Sequence, residues 1–303
     1  MERQEDSMKN KGIVFGIGAY VFWGFITLYW KLLTDVSPLA TMCYRIIWSF
    51  IFMIAFLALS GSWSQFVKEL KRLWENKNYL FLMILAALLI SINWFTFIFT
   101  VSEGHVMEAS LGYYINPLVN VLLATLVLKE QLSRSGKIAC SLVVIGVVLL
   151  AIQTGKVPYS SLIMAFSFSI YGLIKKRIPI SSMTGLTVET FVMLPFSLLY
   201  ILFVSPIGFM HYSVQTNLLL MGAGVVTVIP LLLFAEAAKS TSYITLGFIQ
   251  YINPTIMLLF AVFLFHETYS LAQFTAFGFI WLGIIVFTYG TTRTVMKTRK
   301  LAK

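Results

Sequence analysis

Charge is scarce in this chain. Only 11% of its 303 residues are charged, and the shortage is sharpest on the acidic side, with 12 Asp and Glu against 22 Lys and Arg. Soluble domains average about 25% charged and about 45–50% apolar residues, whereas 59% of this chain is hydrophobic. A chain of this length cannot hide so much apolar surface inside a water-soluble core, so it belongs in a lipid bilayer. The formal charge of +10 would suit nucleic acid if the basic residues covered one soluble face. They lie between apolar segments instead, which excludes that partner.

Other absences narrow the chemistry. There are two cysteines, Cys43 and Cys140, both inside apolar segments and with no Cys-x-x-Cys pair, so no disulfide framework is implied. The three histidines, His105, His211 and His266, are dispersed and no His-Glu-x-x-His occurs, so no metal site is expected. A phosphate-binding loop fails because Gln131 stands where Gly136-Lys137 would need the first glycine, so direct ATP coupling within the chain is not expected. No Gly-x-Ser-x-Gly elbow appears. The chain reads as a non-enzyme with no cofactor. No small-residue cleavage site follows a short apolar core, so the first apolar segment is expected to be an uncleaved span.

The apolar runs are long and do not alternate, which favours helices over a barrel. At about 20 residues per crossing, ten spans are expected: 12–33, 38–59, 79–101, 106–128, 135–153, 158–175, 184–204, 215–236, 242–265 and 270–292. All lysines and arginines except Lys31, Arg45 and Lys156 fall in the two terminal segments, the even-numbered loops or the span ends beside them. Positive residues mark the cytoplasmic side, so both termini are expected there. Between Gly61 and Asn78, Trp63, Phe66, Val67, Leu70, Leu73 and Trp74 recur at helical spacing among Lys68, Lys71, Arg72 and Lys77. That pattern predicts an amphipathic helix on the cytoplasmic leaflet.

One tetrapeptide occurs twice, as Tyr114-Ile115-Asn116-Pro117 and Tyr251-Ile252-Asn253-Pro254. Leu-Gly-aromatic precedes both, as Leu111-Gly112-Tyr113 and Leu246-Gly247-Phe248, and Glu130 with Ser133 follows the first copy at the spacing of Glu267 with Ser270 after the second. The copies sit in the fourth and ninth spans. Five spans per half is an odd number, so the second half begins on the opposite side and the two copies cross the membrane in opposite senses. Trp23-Gly24 in span one and Tyr171-Gly172 in span six are a further trace of this relation. The predicted fold is an all-α membrane protein of ten transmembrane helices in two inverted five-helix repeats, residues 1–154 and 155–303. Matched helix-breaking prolines in inverted halves point to a transporter's binding site.

The run from Met107 to Asn120, with Asn93-Trp94, Arg45-Ile46-Ile47-Trp48-Ser49-Phe50, Ala165-Phe166-Ser167-Phe168, Tyr171-Gly172-Leu173 and Gln250-Tyr251, resembles the RarD-type subgroup of the EamA transporters in the drug/metabolite transporter superfamily. The resemblance covers nearly the whole chain. It implies a ten-helix carrier of the cytoplasmic (inner) membrane with a central cavity, and the subgroup's name is tied to chloramphenicol sensitivity.

Several residues are candidates for transport. Glu108, Gly112, Asn116 and Asn120 are four apart, hence on one helix face, and a polar stripe in lipid must meet protein or water. Pro117 and Pro254 are candidate hinges; each removes the hydrogen bond to the carbonyl four residues back, at Tyr113 and Gln250. The substrate-cavity candidates are Trp23, Asn93, Gly112, Tyr113, Asn116, Asn120, Tyr171, Gln250 and Asn253; the same amides and prolines also serve helix packing. Arg45 inside span two needs compensation, since a central charge costs roughly 2.5–3.5 kcal/mol on insertion scales, and Glu108 is its expected partner. Glu189 in span seven is expected to meet Lys175 or Lys239. Arg45, Glu108 and Glu189 are the gating or coupling candidates, with a fixed structural pair as the alternative. Glu103 and Glu236 lie nearer span ends. Glu130, Glu267, Ser133 and Ser270 read as turn chemistry, with Ser270 and Gln273 forming a capping box.

The reading is a secondary active transporter of a small organic solute working by alternating access, an exporter by the resemblance, driven by a proton gradient or a counter-solute. A small-solute channel and a non-transporting ligand sensor are the alternatives.

Overall fold

Twelve α-helices form among the described residues of the computed structural model, which covers 2–33, 35–102, 106–154, 159–264 and 270–301, with side chains described for 10–33, 35–100, 110–152, 159–260, 262–264 and 270–293. They are α1 (Glu2–Lys31), α2 (Pro38–Leu59), α3 (Trp63–Glu75), α4 (Lys77–Ser102), α5 (Val106–Leu126), α6 (Arg134–Thr154), α7 (Tyr159–Arg177), α8 (Ser182–Leu199), α9 (Val214–Ser240), α10 (Tyr243–Ile249), α11 (Ile252–Leu259) and α12 (Leu271–Leu301). Single π-turns, Tyr200–Val204 and Phe260–Leu264, extend α8 and α11. No strand forms among the described residues.

The chain is a multi-pass membrane protein. Among the described residues, eight stretches are long and apolar enough to cross a bilayer: α1 from Asn10, α2, α4, α6, α8 with its π-turn, α9, α10–α11 as one run, and α12. The two other expected spans fall on α5, whose described apolar part is Ser110–Leu126, and on α7. Four serines and the terminal Lys175-Lys176-Arg177 make α7 too polar to face lipid. Its polar face is buried instead, packed against α4, α5 and α9, while Tyr159, Ile163 and Phe166 are exposed.

The other main pairings are α6 with α12, α1 with α9 and with α10–α11, α2 with α8 and α9, and α5 with α10. Small residues let these helices approach closely. At Gly224 in α9 an added Cβ would lie 2.4 Å from the Trp48 carbonyl carbon of α2, and the Ser49 hydroxyl donates to the Gly224 carbonyl at 3.3 Å.

The loops separate into two ends. At one end, Arg177 donates to the Val127 carbonyl at 2.9 Å and Lys239 to the Ile180 carbonyl at 2.6 Å. There too, Glu130 takes the N–H groups of Tyr243 and Ile244 at 2.8 and 3.0 Å, capping α10. At the other end the Met210 N–H donates to the Tyr44 hydroxyl at 2.9 Å, and Leu33 and Val36 join Tyr44 in a separate apolar cluster. Ser133 caps α6, and Ser270 and Gln273 form the expected capping box at α12. Glu103 and Glu267 lie outside the described residues.

Helix α3 is the expected amphipathic segment. Trp63, Val67, Leu70 and Trp74 are exposed while Leu73 is buried. Glu69 ties it to the bundle, accepting from the Ser181 N–H at 3.0 Å and the Ser181 hydroxyl at 2.6 Å at the start of α8, and Arg72 Nη1 donates to the Pro179 carbonyl at 3.3 Å. Burial raises the Glu69 carboxyl, but hydrogen bonds from Ser181, Thr184 and Gln65 outweigh it and hold the group below its ordinary 4.5. A depressed carboxylate contributes stability that is present above its unfolded value and is lost as pH falls through the folded one. Acidification below about 4.5 is therefore expected to release α3 from α8, read as faster amide exchange in α3, and Glu69→Gln should remove that pH dependence.

Candidate functional site

The two Tyr-Ile-Asn-Pro copies meet. The Tyr114 hydroxyl donates to the Pro254 carbonyl at 3.3 Å, and the Tyr251 hydroxyl donates to the Tyr114 carbonyl at 3.2 Å. Asn120 Nδ2 donates to Gln250 Oε1 at 2.7 Å. The copies differ in their backbone. Helix α5 runs unbroken through Pro117, whereas the second copy separates α10 from α11 at Gln250-Tyr251. The expectation that Gln250 presents a free carbonyl is corrected: a tight turn brings the Asn253 N–H to it at 3.1 Å.

A cavity of about 100 Å³ opens beside this crossing, large enough for several waters or part of a small solute. Trp23, Asn93, Gly112, Tyr113, Asn116, Gln250 and Asn253 all line it, as the sequence reading proposed. Trp30, Arg45, Trp94, Phe97, Met164 and Met257 are among its other walls. Most of the polar lining is already engaged. Asn93 Nδ2 donates to the Met164 carbonyl at 2.7 Å and to the Ser167 hydroxyl at 3.2 Å. Asn116 Oδ1 accepts from the Ser169 hydroxyl at 3.0 Å. Asn253 Oδ1, in contrast, is buried with no partner among the described residues.

Two expected lining residues sit elsewhere. Asn120 is fully buried between α5 and α10, because residues four apart drift about 40° around a helix at each step. Tyr171 is also fully buried; its hydroxyl donates to Glu189 Oε2 at 3.1 Å and its ring stacks on Phe234. Gly112 lies on the wall close to α7, where an added Cβ would lie 3.2 Å from the Ser161 Cα.

Arg45 is a cavity residue. Its Cζ lies 4.5 Å from the ring centres of both Trp30 and Trp94, and its Nε donates to the Thr227 hydroxyl at 3.0 Å. The side chain of Glu108, its expected partner, lies outside the described residues. Each cation–π contact contributes about 0.5–2 kcal/mol. Sequence reasoning missed this sandwich because Trp30, Trp94 and Thr227 come from three different helices.

Glu189 has the first of its two expected partners. Its Oε1 lies 2.7 Å from Lys175 Nζ, with both side chains at most 3% exposed. Lys239, the other expected partner, instead holds the Ile180 carbonyl and the Ser182 hydroxyl.

Two segments, residues 10–152 and 159–289, match the EamA-like transporter family. The uncharacterized transporter YojE of Bacillus subtilis (strain 168) is 46% identical over 287 residues, spanning 94% of this chain and 95% of that protein. Protein RarD of Salmonella typhi is 40% identical over 291 residues, spanning 95% and 98%. One solved crystal structure superposes with a TM-score of 0.69 at 19% identity, over 91% of this chain and 96% of that one. That likeness concerns the fold alone.

Breaking a buried ion pair leaves an uncompensated charge and costs about 3–5 kcal/mol. Glu189→Gln is therefore expected to lower the melting temperature of the purified protein sharply. Tyr171→Phe, which removes one hydrogen bond to a carboxylate, should cost about 1.5–3 kcal/mol. Replacing Lys175 and Glu189 together by Met should recover most of the loss.

Proposed function

The chain belongs to the EamA-like transporter family, and from that premise we propose that it is a secondary active transporter of a small organic solute, working by alternating access as a non-enzyme. Export is the direction the family resemblance favours, with a proton gradient or a counter-solute as the driving force. The scaffold is ten spans in two inverted five-helix repeats, residues 1–154 and 155–303, in the cytoplasmic membrane with both termini inside.

The observation that carries this reading is the cavity at the crossing of the two Tyr-Ile-Asn-Pro copies. Carriers of this kind bind where discontinuous helices of two repeats meet, and the α10–α11 break lies beside this cavity. The helix pairings support the repeat. Exchanging each span for the one five places along turns α1·α9 into α7·α4 and α5·α7 into the α10–α11 run with α1, and it returns α6·α12 and α2·α8 to themselves. Each half also has its own family match. The end that gathers Arg72, Lys129, Arg134, Arg177 and Lys239 is the cytoplasmic one by the positive-inside rule.

In this mechanism the paired motifs are the pivot, with Pro117 and Pro254 as hinges. The Lys175–Glu189 pair, held by Tyr171, locks the cytoplasmic side between cycles. Arg45, together with Glu108, governs the opposite side. Relatives named as transporters fit this assignment.

With Cys43 and Cys140 replaced by serine, Met257→Cys in the cavity wall is expected to react with an impermeant thiol reagent from either face of sealed vesicles. The slower face should label about 10- to 1000-fold less rapidly, reflecting a minor conformer of about 0.1–10%. Labelling from one face alone would contradict alternating access, and a solute flux that does not saturate would mark a channel.

A further inference from the structure

Arg45 has five N–H donors, and one of them, on Nε, is used by Thr227. No described side chain or carbonyl accepts from the two Nη groups. The guanidinium lies in the cavity wall between two indole faces, in surroundings where a cation with so few acceptors is poorly compensated. Its planar fork matches a carboxylate or similar oxyanion through two parallel hydrogen bonds. A second unmet demand lies in the same wall: Asn253 is a lining residue, and its buried Oδ1 has no donor among the described residues. Trp23, Phe97, Phe168 and Met257 supply apolar walls.

Resting on the carrier reading above, we infer that the solute is an organic anion: an oxyanion group held by Arg45, an apolar or aromatic body against the tryptophans, and one N–H or O–H donor to Asn253. A Trp-lined space can also take an organic cation. Here Arg45 already fills the gap between Trp30 and Trp94 and repels a second positive charge. A neutral solute would offer the Nη groups only a neutral acceptor, which makes a weaker bond than an oxyanion.

The test uses the full chain in lipid nanodiscs and three probes of one shape: 3-(4-hydroxyphenyl)propionate, its carboxamide and the matching propylamine. Binding is read by tryptophan fluorescence. The acid is expected to bind at least about tenfold more tightly than either counterpart, the difference made by charge-assisted hydrogen bonds. Arg45→Gln should abolish that preference and Arg45→Lys should retain part of it. Removing the probe's hydroxyl or substituting Asn253→Ala should weaken binding similarly and without additivity. Equal binding of the amide or the amine overturns the inference. So does a preference that survives Arg45→Gln, or the absence of binding by all three probes. If Arg45→Gln does not yield a monodisperse protein, the wild-type comparison of the three probes and its Arg45→Lys counterpart decide. The same probes in liposomes separate the two readings. An acid that binds and is not moved keeps the inference and sinks the carrier; saturable flux of the amide or amine alone does the reverse.

Discussion

Two tyrosines, each reaching across to the other motif's backbone, hold the centre of this molecule. Tyr114 grips the Pro254 carbonyl and Tyr251 grips the Tyr114 carbonyl. Lipid offers no water to an unpaired backbone group, and each one left bare costs several kcal/mol. A proline in a membrane helix removes a donor, so nearby groups must meet the carbonyls around it. Here the Gln250 carbonyl, orphaned by Pro254, takes the Asn253 N–H, and the tyrosine hydroxyls add bonds to the Pro254 and Tyr114 carbonyls that tie the two helices of the crossing together. Gly247 permits the close approach: an added Cβ there would lie 3.1 Å from the Pro117 carbonyl.

Once that crossing is in place, the remaining polar groups fall into two sets. On one side Lys175, Glu189 and Tyr171 form a dry cluster. Around the cavity, Asn93 and Asn116 are spent on helix contacts while Arg45 and Asn253 keep unused capacity. The first set is suited to stability that can be broken and remade; the second is suited to recognition. An apolar shell separates both from lipid, and it is also what makes the chain so short of charge.

The spans were legible because a helix in lipid needs a long apolar run; most observed helices keep close to the expected bounds, while α1 begins ten residues early at Glu2, α12 runs on to Leu301 and the ninth span divides into α10 and α11. The Ser270–Gln273 capping box and most of the cavity wall were legible too. The near-identical motif copies, however, hide different backbones: α5 is continuous, while the second copy turns at Gln250 and takes the Asn253 N–H. Identical local sequence cannot distinguish these, since the surrounding helices decide. Asn120 misled because a four-residue stripe winds slowly around its helix. The Arg45 sandwich depends on three helices far apart in the chain, and Glu130 caps a helix more than a hundred residues away, contacts that no local pattern encodes.

The central claim is that two halves of opposite orientation meet at the paired motifs. Single cysteines in a background with Ser at 43 and 140, at Asp35 and His211 for one face and at Glu75 and Lys303 for the other, test it most directly in intact cells with an impermeant thiol reagent. Asp35→Cys and His211→Cys should label, while Glu75→Cys and Lys303→Cys should label only after the membrane is opened. Labelling of Asp35→Cys and His211→Cys from opposite faces, or exposure of Lys303→Cys on intact cells, would contradict the inverted arrangement.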